Sequence, residues 1–267
     1  MAQVTIEPTN EVSEMTVQLK PPHADRDTIL YPESDGKPMA ESDLHREIMF
    51  YIIHLLQRWF RGQRVYISGN LLLYYEEGNP RKSVAPDCFV VWGVEPRRRL
   101  IYKLWEECKG PQVVFEVSSK STKREDLGQK MRLYASLGVQ EYYLYDPTGD
   151  FLDPTLAAFQ LVGEGYVPMQ PVNEEVRLGE LAFLPDTGEL PEYVSPLLGL
   201  RLVLDETGYL RFLDEATGQR LLTDEEARQQ AEVARQQAED RLNQVEDENA
   251  RLREELARLR GELKQTG

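Results

Sequence analysis

The amino-acid sequence predicts an α/β protein with one central mixed sheet flanked by helices, followed by a long C-terminal helix. Two observations predict this class. Strand-like apolar runs alternate with helix-like segments through the first half of the chain, an order typical of a sheet covered by helices. Residues 223–267 instead carry apolar residues three and four apart in a charged background, the pattern of a coiled-coil helix. We expect the main domain to span residues 39–205, and residues 206–222 to form short connecting strands or a turn.

The first predicted elements are a helix and two strands. Five prolines discourage regular structure in residues 1–38, which we expect to be extended or disordered. Ser42 then supplies an N-cap for an amphipathic helix. Strands around 64–68 and 71–75 should follow, joined as a hairpin by a turn at Gly69-Asn70.

The centre of the domain is predicted as two strands, a helix and a further strand. These elements cover residues 85–92, 112–117, 124–137 and 141–145. Gly138 should end the helix, and Asp146-Pro-Thr-Gly149 reads as a turn. In the helix, a stripe of Leu127, Met131, Tyr134 and Leu137 should face the core. Short strands at 156–162, 200–204 and 210–213 should complete or extend the sheet.

Two carboxylates fall on neighbouring predicted strands. Asp87 lies at the entrance of its strand, and Glu116 lies between valines, where an ionised side chain is costly unless a cation or partner compensates it. Two such acids could share a divalent ion, since Mg²⁺ prefers oxygen ligands and typically takes one or two protein carboxylates. From the following helix, Asp126, Lys130 and Gln129 could project toward the same strand ends.

Structural explanations remain open for each of these residues alone. An aspartate after a proline is common at turns and strand starts, which would account for Asp87. Glu116 could form a buried salt bridge with Lys130 or Lys120. Tyr134 fits a packing role from its helical spacing. The combined spacing therefore favours a site more than any single member does.

Other chemistries lack support in the sequence. His45 and His54 are nine residues apart on one predicted helix, too far apart to share a metal as an i, i+4 pair would. Cys88 and Cys108 have no zinc-site spacing. The phosphate-binding loop, dinucleotide fingerprint and serine-hydrolase elbow are all absent from the sequence. We therefore do not expect a zinc hydrolase, an ATP- or NAD-dependent enzyme or a serine hydrolase.

Several fixed spacings together carry a resemblance to a known family. They are Pro86-Asp87, Glu116-Val-Ser-Ser-Lys-Ser-Thr122, Asp126, Lys130, Tyr134, Gly138-Val139 and Glu141-Tyr-Tyr-Leu-Tyr-Asp-Pro147. With this pattern, roughly residues 39–205 resemble the Uma-two family of restriction endonuclease-like proteins, within the PD-(D/E)XK nuclease superfamily. The resemblance implies a restriction-endonuclease-like sheet and a metal-dependent endonuclease that hydrolyses phosphodiester bonds of nucleic acid.

The resemblance also implies roles for individual residues. Asp87 and Glu116 would bind the metal, Mg²⁺ or Mn²⁺, and a lysine would orient or activate the attacking water. The superfamily lysine would fall two residues after Glu116, where this chain has Ser118. The family places that lysine on the following helix, which matches Lys130.

Further residues and a second function stay open. Lys120 is a second lysine candidate, and Glu47 is the candidate for an additional helix acid that the superfamily often carries. In the alternative function, the nuclease fold is a catalytically inactive binding or scaffold protein. The serine at position 118, where the superfamily has its lysine, would then reflect a loss of catalytic activity, and the coiled coil would recruit a partner.

The charge distribution bears on nucleic-acid binding. The chain has a formal net charge of −15, which opposes contact with phosphates. Residues 39–147, however, carry 16 basic and 14 acidic residues and are the one basic segment. Within it, Arg97-Arg-Arg99 and Lys120, Lys123 and Arg124 form clusters that are either solvated loop charges or a phosphate-contacting rim. We expect weak, salt-sensitive binding of nucleic acid, with DNA favoured.

The sequence predicts a cytoplasmic protein without a membrane partner. It has no apolar stretch long enough to cross a bilayer, and its first residues lack the basic and apolar regions of a signal peptide. Its two cysteines indicate no disulfide framework, which fits a reducing compartment.

The C-terminal segment predicts a homodimer through residues 242–263. The a positions are Leu242, Asn249, Leu256 and Leu263, and the d positions are Val245, Leu252 and Leu259. A single asparagine at an a position favours a parallel two-stranded coiled coil. A single charged helix in solvent is the alternative.

Overall fold

The computed structural model describes residues 29–34, 42–119, 122–172 and 190–265, with the side chains of 123, 255 and 257–265 excepted. Contacts divide the chain into two units, Met1–Tyr31 and Pro32–Gly267. The elements below all belong to the second unit. Most of the predicted N-terminal segment, 1–38, lies outside the described residues. No helix in the described parts of the chain has the length and apolar character to span a bilayer.

Five α-helices and twelve strands are defined within these ranges. The helices are α1 (Asp43–Trp59), α2 (Leu104–Glu107), α3 (Lys123–Glu125), α4 (Met131–Ser136) and α5 (Asp224–Gln265), and a π-helical segment, Asp126–Lys130, joins α3 to α4. The strands are β1 (Val65–Ser68), β2 (Leu73–Tyr74), β3 (Ser83–Val84), β4 (Cys88–Trp92), β5 (Tyr102–Lys103), β6 (Val113–Val117), β7 (Glu141–Tyr145), β8 (Leu156–Val162), β9 (Gly165–Pro168), β10 (Tyr193–Ser195), β11 (Leu200–Leu204) and β12 (Leu210–Asp214).

A mixed sheet forms the central layer. Six of the described strands build it in the order β1-β4-β6-β7-β8-β9, with β6 and β7 parallel and the other pairs antiparallel. Two smaller sheets, β3-β2-β5 and β10-β11-β12, accompany it. The prediction of a mixed α/β fold with a central sheet and a long C-terminal helix is confirmed.

Both faces of the central sheet are buried, as the continuous apolar character of β4 and β6 predicts. Side chains alternate between the faces along a strand. Cys88 and Val90 join one apolar cluster with the core side of α1, whereas Phe89 and Val91 join a second cluster with Tyr134 of α4. Helix α1 therefore covers one face and α4 covers the other.

Helix α1 begins as the sequence predicts. The Ser42 side chain accepts a hydrogen bond from the His45 backbone N–H at 3.1 Å, which satisfies one of the free donors of the first turn. The apolar stripe then packs on the sheet, with Ile48, Ile52 and Leu56 fully buried.

The predicted hairpin at Gly69-Asn70 is wrong, because β1 pairs with β4 and β2 belongs to a different sheet. The physical reason lies in the close packing of this segment against the start of β4. A Cβ at Gly69 would fall 1.9 Å from the Asp87 carbonyl oxygen. Asn70 donates its N–H to the Pro86 carbonyl at 2.8 Å, so the chain is held against β4 and leaves the central sheet.

The strands after residue 156 extend the central sheet only in part. β8 pairs with β7, but its other side pairs with β9. Because β9 occupies that position, β11 and β12 cannot add there, and with β10 they form a sheet of their own. The expectation that 200–204 and 210–213 extend the central sheet is thus corrected.

Helix α5 covers 42 residues and confirms the predicted C-terminal helix. Its apolar side chains that are described lie about half exposed: Val233, Leu242, Val245, Leu252 and Leu256. Pairing of this helix with a second copy stays a prediction.

Candidate active site

Asp87 and Glu116 face each other across two antiparallel strands. Cys88 of β4 pairs with Phe115 of β6, and the two acids are the residues just before and just after this pair. Asp87 is 8% exposed and Glu116 is 1% exposed. The fold thus places both predicted acids in one buried location, between the layers formed by α1 and α4.

Each oxygen of the Asp87 carboxylate has one hydrogen-bonding partner. His45 of α1 places Nε2 3.2 Å from Oδ1, and the Val117 N–H donates to Oδ2 at 2.7 Å. Burial raises the pKa of this carboxyl, but the hydrogen bond and charge of His45, the charge of Lys130 and the Val117 N–H together hold it below its ordinary value. Asp87 is therefore a carboxylate that neighbouring groups keep ionised.

Glu116 has two partners from the helix on the opposite face of the sheet. Lys130 Nζ donates to Oε2 at 2.9 Å, and Tyr134 OH donates to Oε1 at 2.5 Å. Burial raises the pKa of Glu116 well above its ordinary value; the Lys130 charge opposes this shift, and the charges of Asp87 and Asp126 add to it. A positive charge near Glu116 therefore favours its ionised form.

The π-helical segment explains why Lys130 faces inward. A π-helical turn carries an extra residue, which rotates the positions that follow it relative to a regular α-helix. Asp126 is consequently 1% exposed, whereas Leu127 is 49% exposed. The predicted apolar stripe is therefore wrong at Leu127 and holds from Met131 onward, where Met131 and Tyr134 pack into the core.

Asp126 is a third buried carboxylate at this location. Its Oδ2 accepts a hydrogen bond from Ser118 Oγ at 3.0 Å, and its backbone carbonyl accepts one from Tyr142 OH at 3.0 Å. Its Oδ1 lies 3.0 Å from Lys130 Nζ but accepts no well-directed hydrogen bond from any described residue. Asp126 thus presents a buried oxygen whose bonding capacity is unused.

The site holds more acidic than basic side chains. Asp87, Glu116 and Asp126 are three buried acids, and among the described residues Lys130 is the one lysine in contact with any of them, pairing with Glu116 and Asp126. The negative charges of Glu116 and Asp126 outweigh the effect of burial and raise the pKa of Lys130 above its ordinary value, so the amine stays protonated. With all three acids ionised, their negative charge would exceed the positive charge of Lys130 and a protonated His45 together.

The donor set fits a hard divalent cation. Within the described ranges, no group of three or more histidine, cysteine, aspartate or glutamate side chains is arranged around a common metal position. Mg²⁺ needs only one or two protein carboxylates, since waters and substrate oxygens complete its octahedron. The unused Asp126 oxygen and the uncompensated charge are the features such an ion would relieve.

Comparison with known proteins identifies the family. A model of the Uma2 family, described as "Putative restriction endonuclease", matches residues 18–191. The chain belongs to the Uma2 family. Among solved structures it resembles a crystal structure described as a "putative nuclease belonging to DUF820" from Anabaena variabilis ATCC 29413, with 16% identity, 49% of this chain and 69% of that chain covered, and a TM-score of 0.38. A search of curated proteins found no match.

The remaining candidates of this Uma2 chain lie elsewhere. Glu47 lies two positions after His45 on α1, which turns its side chain to the far side of the helix, where it is exposed. Burial raises the pKa of Tyr209, and the charge of Glu47 there adds to this shift. Gln129 is exposed in the π-helical segment, and Lys120 lies outside the described residues. Of the additional candidates, the fold brings Asp126 to the two acids.

Sequence reasoning missed His45 as a member of the Uma2 site. Helical spacing places His45 on the apolar stripe of α1, because His45, Met49, Ile52 and Leu56 follow one another at steps of four, three and four. All four are buried in the structure. A polar residue on that stripe must find a partner inside the protein. The partner, Asp87, comes from 42 residues further along the chain, which helical spacing alone does not reveal.

Proposed function

We propose that this Uma2 chain is a metal-dependent endonuclease in which Asp87 and Glu116 hold Mg²⁺ or Mn²⁺. The observation that carries the proposal is the burial of three acids at one strand end, Asp87 opposite Glu116 in the strand register and both Glu116 and Asp126 in contact with Lys130. Burial of so much like charge is costly without a compensating cation. Family membership supports the same class of reaction.

The protein's own groups would orient the reactants. His45 and the Val117 N–H fix the two oxygens of Asp87, while Tyr134 and Lys130 fix those of Glu116. A bound divalent ion supplies an activated water and stabilises negative charge on the leaving oxygen. Because these partners hold the carboxylates in place, the side chains would lose little freedom when an ion binds, which favours catalysis by pre-organisation.

Lys130 would act on the attacking water or on a phosphate oxygen. Its amine donates a hydrogen bond to Glu116 at 2.9 Å and lies 3.0 Å from Asp126 as an ion pair, so Glu116 uses one of its three donors. A further N–H can donate to an oxygen of the reacting group. Because the neighbouring carboxylates keep it protonated, Lys130 is suited to hydrogen-bond donation and charge stabilisation rather than to proton abstraction.

Cleavage of plasmid DNA and of single-stranded RNA with Mg²⁺ or Mn²⁺ tests this function. Asp87→Asn, Glu116→Gln and Lys130→Met should each lower the cleavage rate by about 100-fold or more. Asp150→Asn, at an exposed loop position, is the matched control and should cut like the wild type. Equal activity of Asp87→Asn and wild type would refute the assignment.

A second candidate is a binding or scaffold protein without nuclease activity. It is favoured by one observation: both oxygens of Asp87 and both oxygens of Glu116 already have protein partners. In this case the acids would form a structural network. Divalent ions would then leave the melting temperature unchanged, and no variant would alter cleavage.

We also propose that two copies pair in parallel through residues 242–263 of α5. The half-exposed side chains of Leu242, Val245, Leu252 and Leu256 support this pairing, because a monomer would leave these four apolar side chains in water. Asn249 at an a position would set the register. Such a dimer would carry two sites, and its binding to nucleic acid should be weak and salt-sensitive, as the net charge of −15 dictates.

A further inference from the structure

An open groove of about 600 Å³ follows the outer side of β1. Among the described strands, β1 is one of the two edges of the central sheet, and β9 is the other. The groove lies between the end of α1 with its following turn, residues 57–63, and the loop 96–100, and β1 contributes its floor. An edge strand with such walls is accessible to a long, narrow ligand.

The groove is positively charged. Four arginines line it, and no described residue that lines it is acidic; the arginines are Arg61, Arg97, Arg98 and Arg99. Glu107 pairs with Arg97 at 2.9 Å and with Arg99 at 2.6 Å, which neutralises one of these charges. Asp224 lies 3.8 Å from Arg61, an exposed pair of small effect. A net positive charge remains in a protein whose total charge is −15.

The arginines differ in mobility. The Arg99 guanidinium lies 4.2 Å from the centre of the Tyr66 ring and also bonds Glu107, so its position is fixed. Arg98 is exposed, and no described residue pairs with it. Arg98 and Arg61 are therefore the cations of this groove that can turn toward a ligand.

The groove begins beside the candidate active site. Ser68, the last residue of β1, lines the groove and pairs with Phe89, two residues after Asp87. Gly69 packs so closely that a side chain there would overlap the Asp87 carbonyl oxygen. A chain-like ligand that follows β1 therefore leads toward the acid pair.

The polar contacts favour a polyanion over a peptide strand. Strand addition needs free backbone groups on the sheet edge. Gln57 Nε2 already donates to the Ile67 carbonyl at 3.0 Å, so an acceptor on this edge is taken. Arginine, by contrast, matches phosphate geometry with its planar set of donors.

We propose that the groove along β1 binds the sugar–phosphate backbone of the nucleic-acid strand that is presented to Asp87 and Glu116. This inference rests on the proposed nuclease function for its substrate class. Arg61 and Arg98 contact phosphates in the groove, and Arg97 and Arg99, both paired with Glu107, form its basic wall.

Fluorescence anisotropy with a labelled DNA oligonucleotide in EDTA tests the groove without cleavage. In the full-length chain, Arg61→Gln with Arg98→Gln should weaken binding and lower the slope of log K against log salt by about 0.7–0.9 for each arginine. Arg251→Gln on α5 removes one charge, as Arg98→Gln alone does, at an exposed position outside the coiled-coil seam, and it should keep the wild-type slope. Arg98→Gln alone changes one exposed residue, so its effect can be measured even if the double variant folds poorly.

The outcomes separate the groove from the nuclease function. If the groove variants bind DNA with the wild-type affinity and the wild-type salt dependence, the groove does not bind nucleic acid, whatever the cleavage results are. If the groove variants lose binding as expected while the wild type never cleaves with Mg²⁺ or Mn²⁺, the nuclease function fails and the groove as a nucleic-acid surface stands. If Arg98→Gln alone loses no more affinity than Arg251→Gln, the groove proposal also fails, because the equal change in net charge would explain the loss.

Discussion

At the scale of single residues, His45 connects α1 to the chemistry of the site. Its ring nitrogen contacts Asp87, and groups that hold a metal ligand in place usually affect metal affinity as well. His45 also belongs to the buried stripe of α1, so any substitution must be compared with one that preserves size and hydrogen bonding.

We expect His45→Ala to lower Mn²⁺ affinity by about 10- to 100-fold, because Asp87 loses a fixed hydrogen bond. His45→Gln retains an N–H donor and should recover part of that loss. His54→Ala, on an exposed residue of the same helix, should bind Mn²⁺ like the wild type. Calorimetric titration measures all four proteins, and identical affinities for His45→Ala and wild type would remove His45 from the site.

Lys130 should matter for stability as well as for activity. In metal-free buffer, Lys130→Met leaves Glu116 and Asp126 without their cation, and we expect a loss of about 3–5 kcal/mol in the free energy of unfolding. Lys82→Met, at an exposed loop position, should change it by less than about 0.5 kcal/mol. Denaturant unfolding distinguishes them; similar values for both variants would show that the ion pairs contribute little.

The sequence predicted the acids of the site better than their partners. Asp87 and Glu116 could be predicted because buried strands rarely carry acids without a reason. Lys130 followed from the resemblance. His45 and the role of Ser118 as a donor to Asp126 depend on contacts between distant segments, which no local pattern encodes.

At the scale of elements, the π-helical segment Asp126–Lys130 determines which side chains reach the strands. Regular helical spacing predicts Leu127 on the core side, yet the structure buries Asp126 and exposes Leu127. The α-helical pattern gives no signal for the extra residue of a π-turn. The boundaries of strands β4, β6 and β7, in contrast, were predicted within a few residues, because each is a short apolar run between turn residues.

The turn after β7 offers a pH test of one element. Asp146 accepts hydrogen bonds from the backbone N–H groups of Thr148, Phe151 and Leu152, and also from the Thr148 hydroxyl. Burial raises its pKa, but these hydrogen bonds outweigh burial and hold the pKa below the ordinary value. The carboxylate therefore stabilises the folded protein at neutral pH.

We expect Asp146→Asn to lower the free energy of unfolding by about 1.5–3 kcal/mol at pH 7. Because the folded-state pKa is depressed, this contribution is complete above the unfolded-state pKa and is lost as pH falls through the folded-state pKa. The difference between Asp146→Asn and wild type should thus shrink below about pH 4. Asp150→Asn, an exposed acid in the same turn, should differ little from the wild type throughout. Denaturant curves across this pH range provide the test, and a difference that grows toward low pH would contradict the account.

At the scale of the whole molecule, the chain combines a buried acid site with a long, charged helix. The sequence predicted both parts, because an amphipathic seam and buried strands are local patterns. It did not predict the separation of β10-β11-β12 from the central sheet, because that depends on β9 occupying the position beside β8.

The a and d positions of α5 between residues 242 and 263 should determine the oligomeric state in solution. We expect sedimentation or light scattering to give the mass of two chains for the wild type. Val245→Glu with Leu252→Glu places like charges at facing d positions and should give one chain. Gln244→Glu, outside the seam, should remain dimeric. A wild-type protein that is monomeric at micromolar concentration would disprove pairing through α5.

In the proposed function Asp87 and Glu116 hold a divalent cation, and thermal unfolding with Mg²⁺ and Mn²⁺ tests this binding most directly. A ligand that binds only the folded state stabilises it by about 2.7 kcal/mol at 100 times its dissociation constant. The wild type should therefore melt at increasing temperature as either ion is added. Asp87→Asn and Glu116→Gln should melt at temperatures that do not depend on the ion, whereas Asp150→Asn should follow the wild type. Equal shifts in the wild type and in Asp87→Asn with Glu116→Gln, or no shift in any protein, would contradict the claim.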